Sequence, residues 1–348
     1  MATKVLVVDD SALIRQLLAQ IIAQAPDMTL VGTAPDAYVA RDLVNKYAPD
    51  VITLDIEMPK VDGLTFLDRL MKARPTPVLM ISTLTENGAE ATLRSLELGA
   101  VDYIAKPKLD VAQGIAEYSQ IILDKIRMAA TARVQKRHAT QAKAVTGFVN
   151  CGTEKIIAIG ASTGGTEAIK DVLMTLPANS PAIVITQHMP PGFTATYAKR
   201  LNGLCAVSVA EARDGERVLP GHAYLAPGNL HMRIEKYGAD YRIKLLDTER
   251  VTGHKPSVDV MFESLAVCAG KNTLAVLLTG MGKDGAQGML AIKTAGGLTL
   301  AQDEQSCVVF GMPKEAIRLG AADKVLPLAD IGKVALDAIT RLGGGTRL

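Results

Sequence analysis

Short apolar runs rich in β-branched residues alternate along this chain with stretches of helical period, and this alternation constrains the fold most. Near the N-terminus the intervening stretches include Leu13–Ile21 and Leu64–Met71. Continuously apolar strands linked by amphipathic helices are typical of a parallel sheet covered on both faces. The predicted strands are Val5–Val8, Leu30–Gly32, Val51–Leu54, Val78–Ile81 and Tyr103–Ala105. They predict a (βα)5 domain over residues 1–125.

The alternation stops after an amphipathic segment, Gly114–Arg127, and resumes near residue 151. Residues 126–150 are predicted to be a linker, helical at its start, because the later part is polar and lacks periodicity. Strands are predicted at Ile156–Ile159, Ala182–Thr186, Val207–Ala210, Ala223–Leu225, Thr273–Leu278 and Leu298–Ala301, with a hairpin over residues 230–246. We therefore predict an α/β protein of two doubly wound parallel-sheet domains, the second, over residues 151–348, being Rossmann-like with an antiparallel hairpin.

Composition argues against several classes of function. The chain has 38 Lys and Arg against 36 Asp and Glu, which gives no footprint for nucleic acid or a membrane surface. Trp is absent and aromatics make up 4%, so base stacking is disfavoured. The four cysteines form no C-x-x-C pair, so neither a zinc site nor a disulfide framework is indicated. With no signal-peptide pattern and no apolar run of about 18 residues, we expect a cytoplasmic protein without membrane insertion.

Polar side chains follow the predicted strands of the first domain, where the carboxyl ends of parallel strands meet. Asp9 and Asp10 follow the first strand and Asp55 the third. Three converging carboxylates repel one another unless a cation binds, and Mg²⁺ with a phosphoryl group suits such a set. Ser82 and Lys106, which end the fourth and fifth strands, would contact the phosphoryl oxygens.

This pattern, with Asp55-Ile-Glu-Met-Pro59 and Lys106-Pro107, resembles the receiver domain of two-component response regulators. The resemblance implies that Asp55 accepts a phosphoryl group from a histidine kinase, and that Asp9, Asp10 and Asp55 hold Mg²⁺. The switch residues that it implies are Ser82 as the hydroxyl, Tyr103 as the aromatic ring and Lys106 as the phosphate contact. Thr83, next to Ser82, is an alternative for the hydroxyl, because the family often has Thr at that position.

The second domain opens on Lys155-Ile-Ile-Ala-Ile-Gly-Ala-Ser162-Thr-Gly-Gly-Thr-Glu-Ala-Ile169. An apolar run enters a tight glycine-rich turn, and an amphipathic stretch leaves it. Strand, sharp turn and helix form the setting of a nucleophile elbow. The helix start behind the turn offers backbone N–H groups that no helical bond satisfies. We predict that Ser162 is a nucleophile.

A serine hydroxyl is a weak nucleophile at neutral pH and needs a base, usually a histidine oriented by a carboxylate. His188 directly follows the strand that ends at Gln187, so it should share the sheet edge of Ser162. The other histidines are less favoured by position: His138 in the linker, His222 before a strand, His231 in the hairpin and His254 in a polar loop that could touch substrate.

Asp284 is the predicted carboxylate partner, since it lies in a glycine-rich loop directly after a buried strand. Asp259 opens a helix, and an N-cap role explains it. Asp303 follows another strand and is a weaker rival. The glycines around Asp284 allow close backbone approach. The predicted oxyanion donors are the backbone N–H groups of Thr163 and Met281.

Three other interpretations of these glycine-rich segments are an α/β-hydrolase site, a dinucleotide site and a simple anion site. The chain order Ser, His, Asp differs from the Ser, Asp, His order of α/β-hydrolases, and no HGGG-type loop is present. A dinucleotide site would need G-x-G-x-x-G and an acidic residue where Gln187 and His188 stand. The loop at residues 280–285 could bind an anion without any catalysis. The conjunction of Ser162, His188 and Asp284 favours acyl transfer.

The motifs at residues 160–165, 187–190 and 279–285 are similar to those of the chemotaxis protein-glutamate methylesterases, in which a receiver precedes the hydrolase domain. The resemblance covers nearly the whole chain and implies that Ser162 is the nucleophile, His188 the base and Asp284 its orienting partner. It implies hydrolysis of glutamate methyl esters on the cytoplasmic domain of methyl-accepting chemoreceptors, deamidation of receptor glutamines, and a chemotaxis histidine kinase as phosphodonor. Mg²⁺ would serve receiver phosphorylation, and ester hydrolysis would need no cofactor.

A receiver joined by a short tether to a hydrolase suggests that the unphosphorylated receiver shields the active site. Two alternatives to the resemblance stay open. The chain could be a receiver-gated serine hydrolase of another ester or amide, because the motifs specify acyl transfer and not the acyl group. It could also be a response regulator with a non-catalytic output domain, which predicts a basic helix or helix-turn-helix that the sequence lacks.

Overall fold

The computed structural model describes residues 2–82, 85–106, 114–134 and 154–341. The chain divides into two compact units, Met1–Ala139 and Thr140–Leu348. The described residues include no helix that is long and apolar enough to cross a membrane. Thr83, Pro107, His138 and residues 135–150 of the predicted linker lie outside the described residues.

The first unit holds a five-stranded parallel sheet of order β2-β1-β3-β4-β5, which confirms the predicted doubly wound fold. The strands are β1 (Thr3–Val8), β2 (Met28–Ala34), β3 (Val51–Asp55), β4 (Val78–Ser82) and β5 (Asp102–Ala105). The helices are α1 (Ala12–Ala23), α2 (Ala37–Tyr47), α3 (Gly63–Ala73), α4 (Glu86–Glu97) and α5 (Gly114–Thr131). Helix α5 thus continues past residue 126, where the linker is predicted to begin.

The first four helices each begin at an N-cap residue with a polar side chain. The side-chain oxygen of each N-cap residue accepts a hydrogen bond from a backbone N–H of the first turn, which satisfies a group that the helix itself leaves unpaired. The N-cap residues are Ser11, Asp36, Asp62 and Thr85. Each of these helices therefore begins shortly after the carboxyl end of the preceding strand, at its N-cap residue.

The second unit holds a seven-stranded parallel sheet of order β14-β13-β12-β6-β7-β9-β8. Its strands are β6 (Ile156–Ala161), β7 (Ala182–Gln187), β8 (Ser208–Glu211), β9 (His222–Leu225), β12 (Thr273–Leu277), β13 (Leu298–Gln302) and β14 (Lys324–Leu326). Its helices are α6 (Gly165–Met174), α7 (Phe193–Leu204), α8 (Val258–Cys268), α9 (Ala286–Thr294), α10 (Met312–Arg318) and α11 (Leu328–Arg341), with a 3₁₀ turn at Gly270–Asn272. The predicted parallel-sheet fold is confirmed.

The predicted hairpin is present as β10 (His231–Tyr237) and β11 (Asp240–Leu246) and forms a separate two-stranded antiparallel sheet. Its inner face packs against α8, where Ile234 donates its backbone N–H to the hydroxyl of Ser264 at 2.9 Å. Met232, Ile234 and Ile243 are buried in the same core as Phe262 of α8. The hairpin therefore packs over α8.

Strand β6 occupies the point where the winding direction of the larger sheet reverses. The chain passes from β6 to β7 on one side and later returns to β12 on the other. All six residues of β6 are buried, as expected for a central strand covered on both faces. Ligand sites in such sheets lie beyond the carboxyl ends of the strands at this reversal, which is where β6, β7 and β12 end.

Candidate active site

Ser162 follows the last residue of β6 and begins the turn into α6. Gly165 donates its backbone N–H to the Ser162 carbonyl at 2.7 Å, which closes the turn. Gly164 has φ +75° and ψ −4°, the values of the third residue in a type II turn. The left-handed conformation thus falls on Gly164, while Ser162 itself has no positive φ. In this respect the turn differs from the strained elbow that the sequence suggests.

The loop after β12 closes against Ser162 from the other side. The Ser162 backbone N–H donates to the Thr279 carbonyl at 3.0 Å. A Cβ added to Gly280 would lie 2.8 Å from the Cβ of Ser162, so only glycine fits there. This contact places Gly280, the residue before the predicted oxyanion donor Met281, beside the serine. Thr163, the other, is buried and its carbonyl accepts from the Thr279 hydroxyl at 3.0 Å.

His188 follows β7 and stands opposite Ser162, because the register of β6 and β7 pairs Ala161 with Gln187. Its backbone N–H donates to the Ala161 carbonyl at 3.2 Å. Its ring Nε2 lies 2.7 Å from Asp284 Oδ2. Nδ1 is buried and makes no hydrogen bond, to Ser162 or to any other described residue. Since Asp284 occupies Nε2, Nδ1 is the ring nitrogen left to take a proton.

Asp284, in the loop between β12 and α9, is buried and meets the start of α8. Its Oδ1 accepts from the Ser257 hydroxyl at 2.7 Å and from the Asp259 N–H at 3.2 Å. Its Oδ2 accepts from the Val258 N–H at 2.7 Å. Burial alone would raise the pKa of Asp284, yet the bonds from His188 and from the helix start hold that pKa well below its usual range. The carboxylate is therefore ionised and can orient the imidazole.

The sequence-based role of Asp259 is wrong, because the N-cap of α8 is Ser257. The Asp259 side chain instead accepts from the Gly288 N–H in α9 at 2.8 Å. Burial raises the pKa of the Asp259 carboxyl, and the neighbouring Asp284 raises it further. Asp303, the weaker rival, accepts from the Ser306 N–H at 3.0 Å and so closes a local turn.

Sequence reasoning did not assign Gln187 a role in this site. Its buried side chain donates through Nε2 to the carbonyls of Ser162 at 2.8 Å and His188 at 3.3 Å. It therefore links the ends of β6 and β7. The available signal was its position directly before the predicted base, since a polar residue at a buried strand end needs hydrogen-bond partners.

The remaining described histidines occupy different positions. His222 is exposed at the start of β9. His231 is buried, and its Nδ1 accepts from the Ser257 N–H at 3.2 Å while its Nε2 donates to the Glu249 carbonyl at 2.9 Å. It thus supports the residue that bonds Asp284. The ring of His254 stacks on that of His188, with centroids 3.7 Å apart and an angle of 10° between the planes.

The first unit brings together the predicted acidic residues at its own sheet edge. Ligand oxygens of Asp9, Asp10 and Asp55 lie within 4.8 Å of one another. Lys106 Nζ lies 2.7 Å from Asp55 Oδ2 and 3.5 Å from Asp9 Oδ2. Burial raises the pKa of Asp55 to about 6, and it also raises the pKa of Asp9. Asp9 Oδ2 is buried and accepts no hydrogen bond, so this oxygen set fits a hard divalent cation.

The other predicted receiver residues lie around the same edge. Ser82 lines a cavity of ≈ 550 Å³ together with Asp10 and Asp55. The Ser82 hydroxyl donates to the Gly88 carbonyl at 3.3 Å and accepts from the Thr92 hydroxyl at 2.7 Å, both in α4. Tyr103 is buried in β5, and burial raises the pKa of its phenol well above the ordinary value. The Ser82 hydroxyl is therefore tied to α4.

Comparison with known proteins decides the family. A family model described as CheB methylesterase matches residues 157–335, and one described as response regulator receiver domain matches residues 5–115. The chain is 62% identical to protein-glutamate methylesterase/protein-glutamine glutaminase 2 of Pseudomonas aeruginosa over 349 residues, which covers all of both chains. The chain belongs to the CheB methylesterase family.

Other members of the CheB methylesterase family agree in sequence and structure. A Bordetella parapertussis protein-glutamate methylesterase/protein-glutamine glutaminase is 59% identical, over 98% of this chain and 97% of that protein. The crystal structure of the Thermotoga maritima CheB methylesterase catalytic domain matches with a TM-score of 0.52 and 41% identity. That match covers 53% of this chain and 98% of the Thermotoga chain, and it supports the catalytic fold.

Proposed function

We propose that the chain hydrolyses glutamate methyl esters on methyl-accepting chemoreceptors, with release of methanol, and deamidates receptor glutamines. The observation that carries this proposal is the convergence of Ser162, His188 and Asp284 on three adjacent strand ends. The relatives matched over their full length are named protein-glutamate methylesterase/protein-glutamine glutaminase, which supports this choice of substrate.

In the proposed reaction, Ser162 Oγ attacks the ester carbonyl while His188 Nδ1 takes the hydroxyl proton. Asp284, bonded to Nε2, stabilises the imidazolium. The tetrahedral oxyanion is bound by the N–H groups of Thr163 and Met281, and methanol leaves with the proton from His188. Water then attacks the acyl-enzyme by the reverse proton transfers and restores the glutamate. With a glutamine substrate the leaving group is ammonia.

The first experiment compares Ser162→Ala with Ser208→Ala, an exposed serine of β8. Methanol release from methylated receptor membranes should fall by at least ~10³-fold in the first variant and stay unchanged in the second. A near-normal rate in Ser162→Ala would show that this serine is not the nucleophile. Reaction of Ser162 with a fluorophosphonate, without any methanol release from receptors, would favour a hydrolase of another ester or amide.

The receiver unit is proposed to accept a phosphoryl group on Asp55 from a chemotaxis histidine kinase in the cytoplasm. Asp9, Asp10 and Asp55 would hold Mg²⁺, which neutralises the charge of the carboxylates and of the incoming phosphoryl group. Lys106 already lies at hydrogen-bond distance from Asp55, so it can contact the phosphoryl oxygens. The unphosphorylated receiver is proposed to restrict access to the esterase site. Acetyl phosphate with Mg²⁺ should then raise the methanol-release rate of the full chain, but not that of Asp55→Asn.

A further inference from the structure

His254 is the histidine that the Ser-His-Asp assignment leaves unused, although it touches the proposed base. Its ring and that of His188 lie almost parallel, with 3.7 Å between centroids and 10° between planes. This is face-to-face contact over much of each ring. Because rings at this separation are in van der Waals contact, neither ring can tilt far without a clash against the other.

The position of His254 is set by a tight turn. The backbone groups of Val251 and His254 bond to each other, N–H to carbonyl, at 3.1 and 2.9 Å. The two residues between them, Thr252 and Gly253, have φ of +52° and +85°. Positive φ at both central residues is the signature of a type I′ turn, which reverses the chain within two residues. His254 therefore stands at a fixed point of the loop.

The same segment also holds the carboxylate partner. Three residues after His254, the hydroxyl of Ser257 donates to Asp284, and the N–H of Val258 donates to the other carboxylate oxygen. One continuous stretch, residues 251–258, thus contacts both the face of the His188 ring and the anion bonded to its edge. This one stretch therefore restrains His188 in two ways: by stacking on its ring and by hydrogen bonds to its carboxylate partner.

We propose that His254 is a positioning residue that holds the plane of the His188 ring, so that Nδ1 is kept available to the Ser162 hydroxyl. The hydrogen bond from Nε2 to Asp284 fixes one atom of the imidazole but not its tilt, and the stacked ring supplies the missing restraint. The inference rests on the proposed function, since it assumes that His188 is the base.

The test compares His254→Leu, which has bulk without a flat ring, with His254→Phe, which keeps the ring and loses the nitrogens. His222→Ala removes an exposed histidine and is the control. Two rates are measured on the full chain: labelling of Ser162 by a fluorophosphonate reagent, and methanol release from methylated receptors with kcat and KM separated. Thermal unfolding is followed for each variant, so that misfolding is recognised.

His254→Leu should lower kcat and the labelling rate by roughly tenfold with little change in KM, and His254→Phe should restore most of both. Wild-type rates in His254→Leu would overturn the proposal, and so would rates in His254→Phe that are no higher than those in His254→Leu. A general loss of structure would lower kcat, the labelling rate and the unfolding temperature in both variants. Recovery of the rates in His254→Phe alone would instead show that the ring contact is what matters. If Ser162→Ala still reacted and released methanol normally, the proposed function itself would fail, independently of these variants.

Discussion

Val258, the first residue of α8, donates its backbone N–H at 2.7 Å to the same Asp284 oxygen that meets His188 Nε2. The helix start supplies positive potential as well as hydrogen bonds. An anion placed there stays ionised although it is buried. The orienting carboxylate is therefore prepared by a helix that contributes none of the three proposed reactive side chains.

Ser257→Ala removes the hydroxyl that donates to Asp284 Oδ1, and we expect the variant to lose about 1–3 kcal/mol of stability at pH 7. The native bonds depress the pKa of Asp284, so their stabilisation is present above the ordinary aspartate pKa and is lost as pH falls through the lower native value. The difference between wild type and variant should narrow in acid. Urea unfolding at pH 7 and at successive pH values below the ordinary aspartate pKa measures it, with Ser208→Ala as the control. An equal difference at all pH values would contradict this linkage.

Asp259→Asn should become relatively more stable as pH rises. Burial raises the pKa of the native Asp259 carboxyl, so its stabilising contribution is complete in acid and is lost as pH rises through the native pKa. Asparagine cannot ionise and can still accept the bond from Gly288. Thermal unfolding of both proteins between pH 5 and pH 9 should show the unfolding temperature of the variant rising relative to that of the wild type. If the unfolding temperature of the variant instead fell relative to that of the wild type as pH rises, the native structure would stabilise Asp259 as the anion.

Most of the site could be predicted because its parts follow buried strands. Fully apolar runs identified β6, β7 and β12, and parallel strands end at one edge, so Ser162, His188 and Asp284 could be grouped without a structure. Strand β14 has three residues, none fully buried, and gave no such signal. In the receiver, the same reasoning grouped the acidic residues.

The supporting contacts could not be predicted because they depend on how separate loops pack. His254 ends the tight turn at residues 251–254 and contacts the His188 ring face to face. The spacing of residues along the sequence does not predict such a contact. Ser257 is a typical N-cap residue, yet its hydroxyl bonds Asp284 and leaves its own helix uncapped by the side chain. The roles of Asp259 and Gln187 likewise become clear only once the start of α8 and the end of β7 are placed.

Gly160→Ala should destabilise the second unit by about 1–3 kcal/mol, because the added Cβ would lie 2.3 Å from Val258 Cγ1. Gly203→Ala is a matched control in α7, since nothing lies within 4 Å of its added Cβ. There alanine should be neutral or stabilise by about 0.5–1 kcal/mol, because the helix gains propensity. Urea unfolding of both variants makes the comparison. Equal stabilities would show that β6 and α8 can separate without cost.

Asp9→Asn should keep the proposed phosphoacceptor but require roughly tenfold more Mg²⁺ for phosphorylation, because one of three clustered carboxylates is lost. Asp55→Asn should take up no phosphoryl group at any Mg²⁺ concentration. Incorporation of label from acetyl phosphate across a Mg²⁺ titration measures both. Asp68→Asn, in α3, is the control. Wild-type Mg²⁺ dependence in Asp9→Asn would remove Asp9 from the metal site.

The proposed base and its carboxylate are 96 residues apart in the chain. Asp284 lies beyond β12, and β12 is the strand that completes one side of β6. During synthesis on the ribosome, Ser162 and His188 therefore emerge long before the group that orients them. A chain that ends between α7 and β12 keeps Ser162 and His188 but lacks the carboxylate that orients the base, so esterase activity requires that synthesis has passed β12 and Asp284.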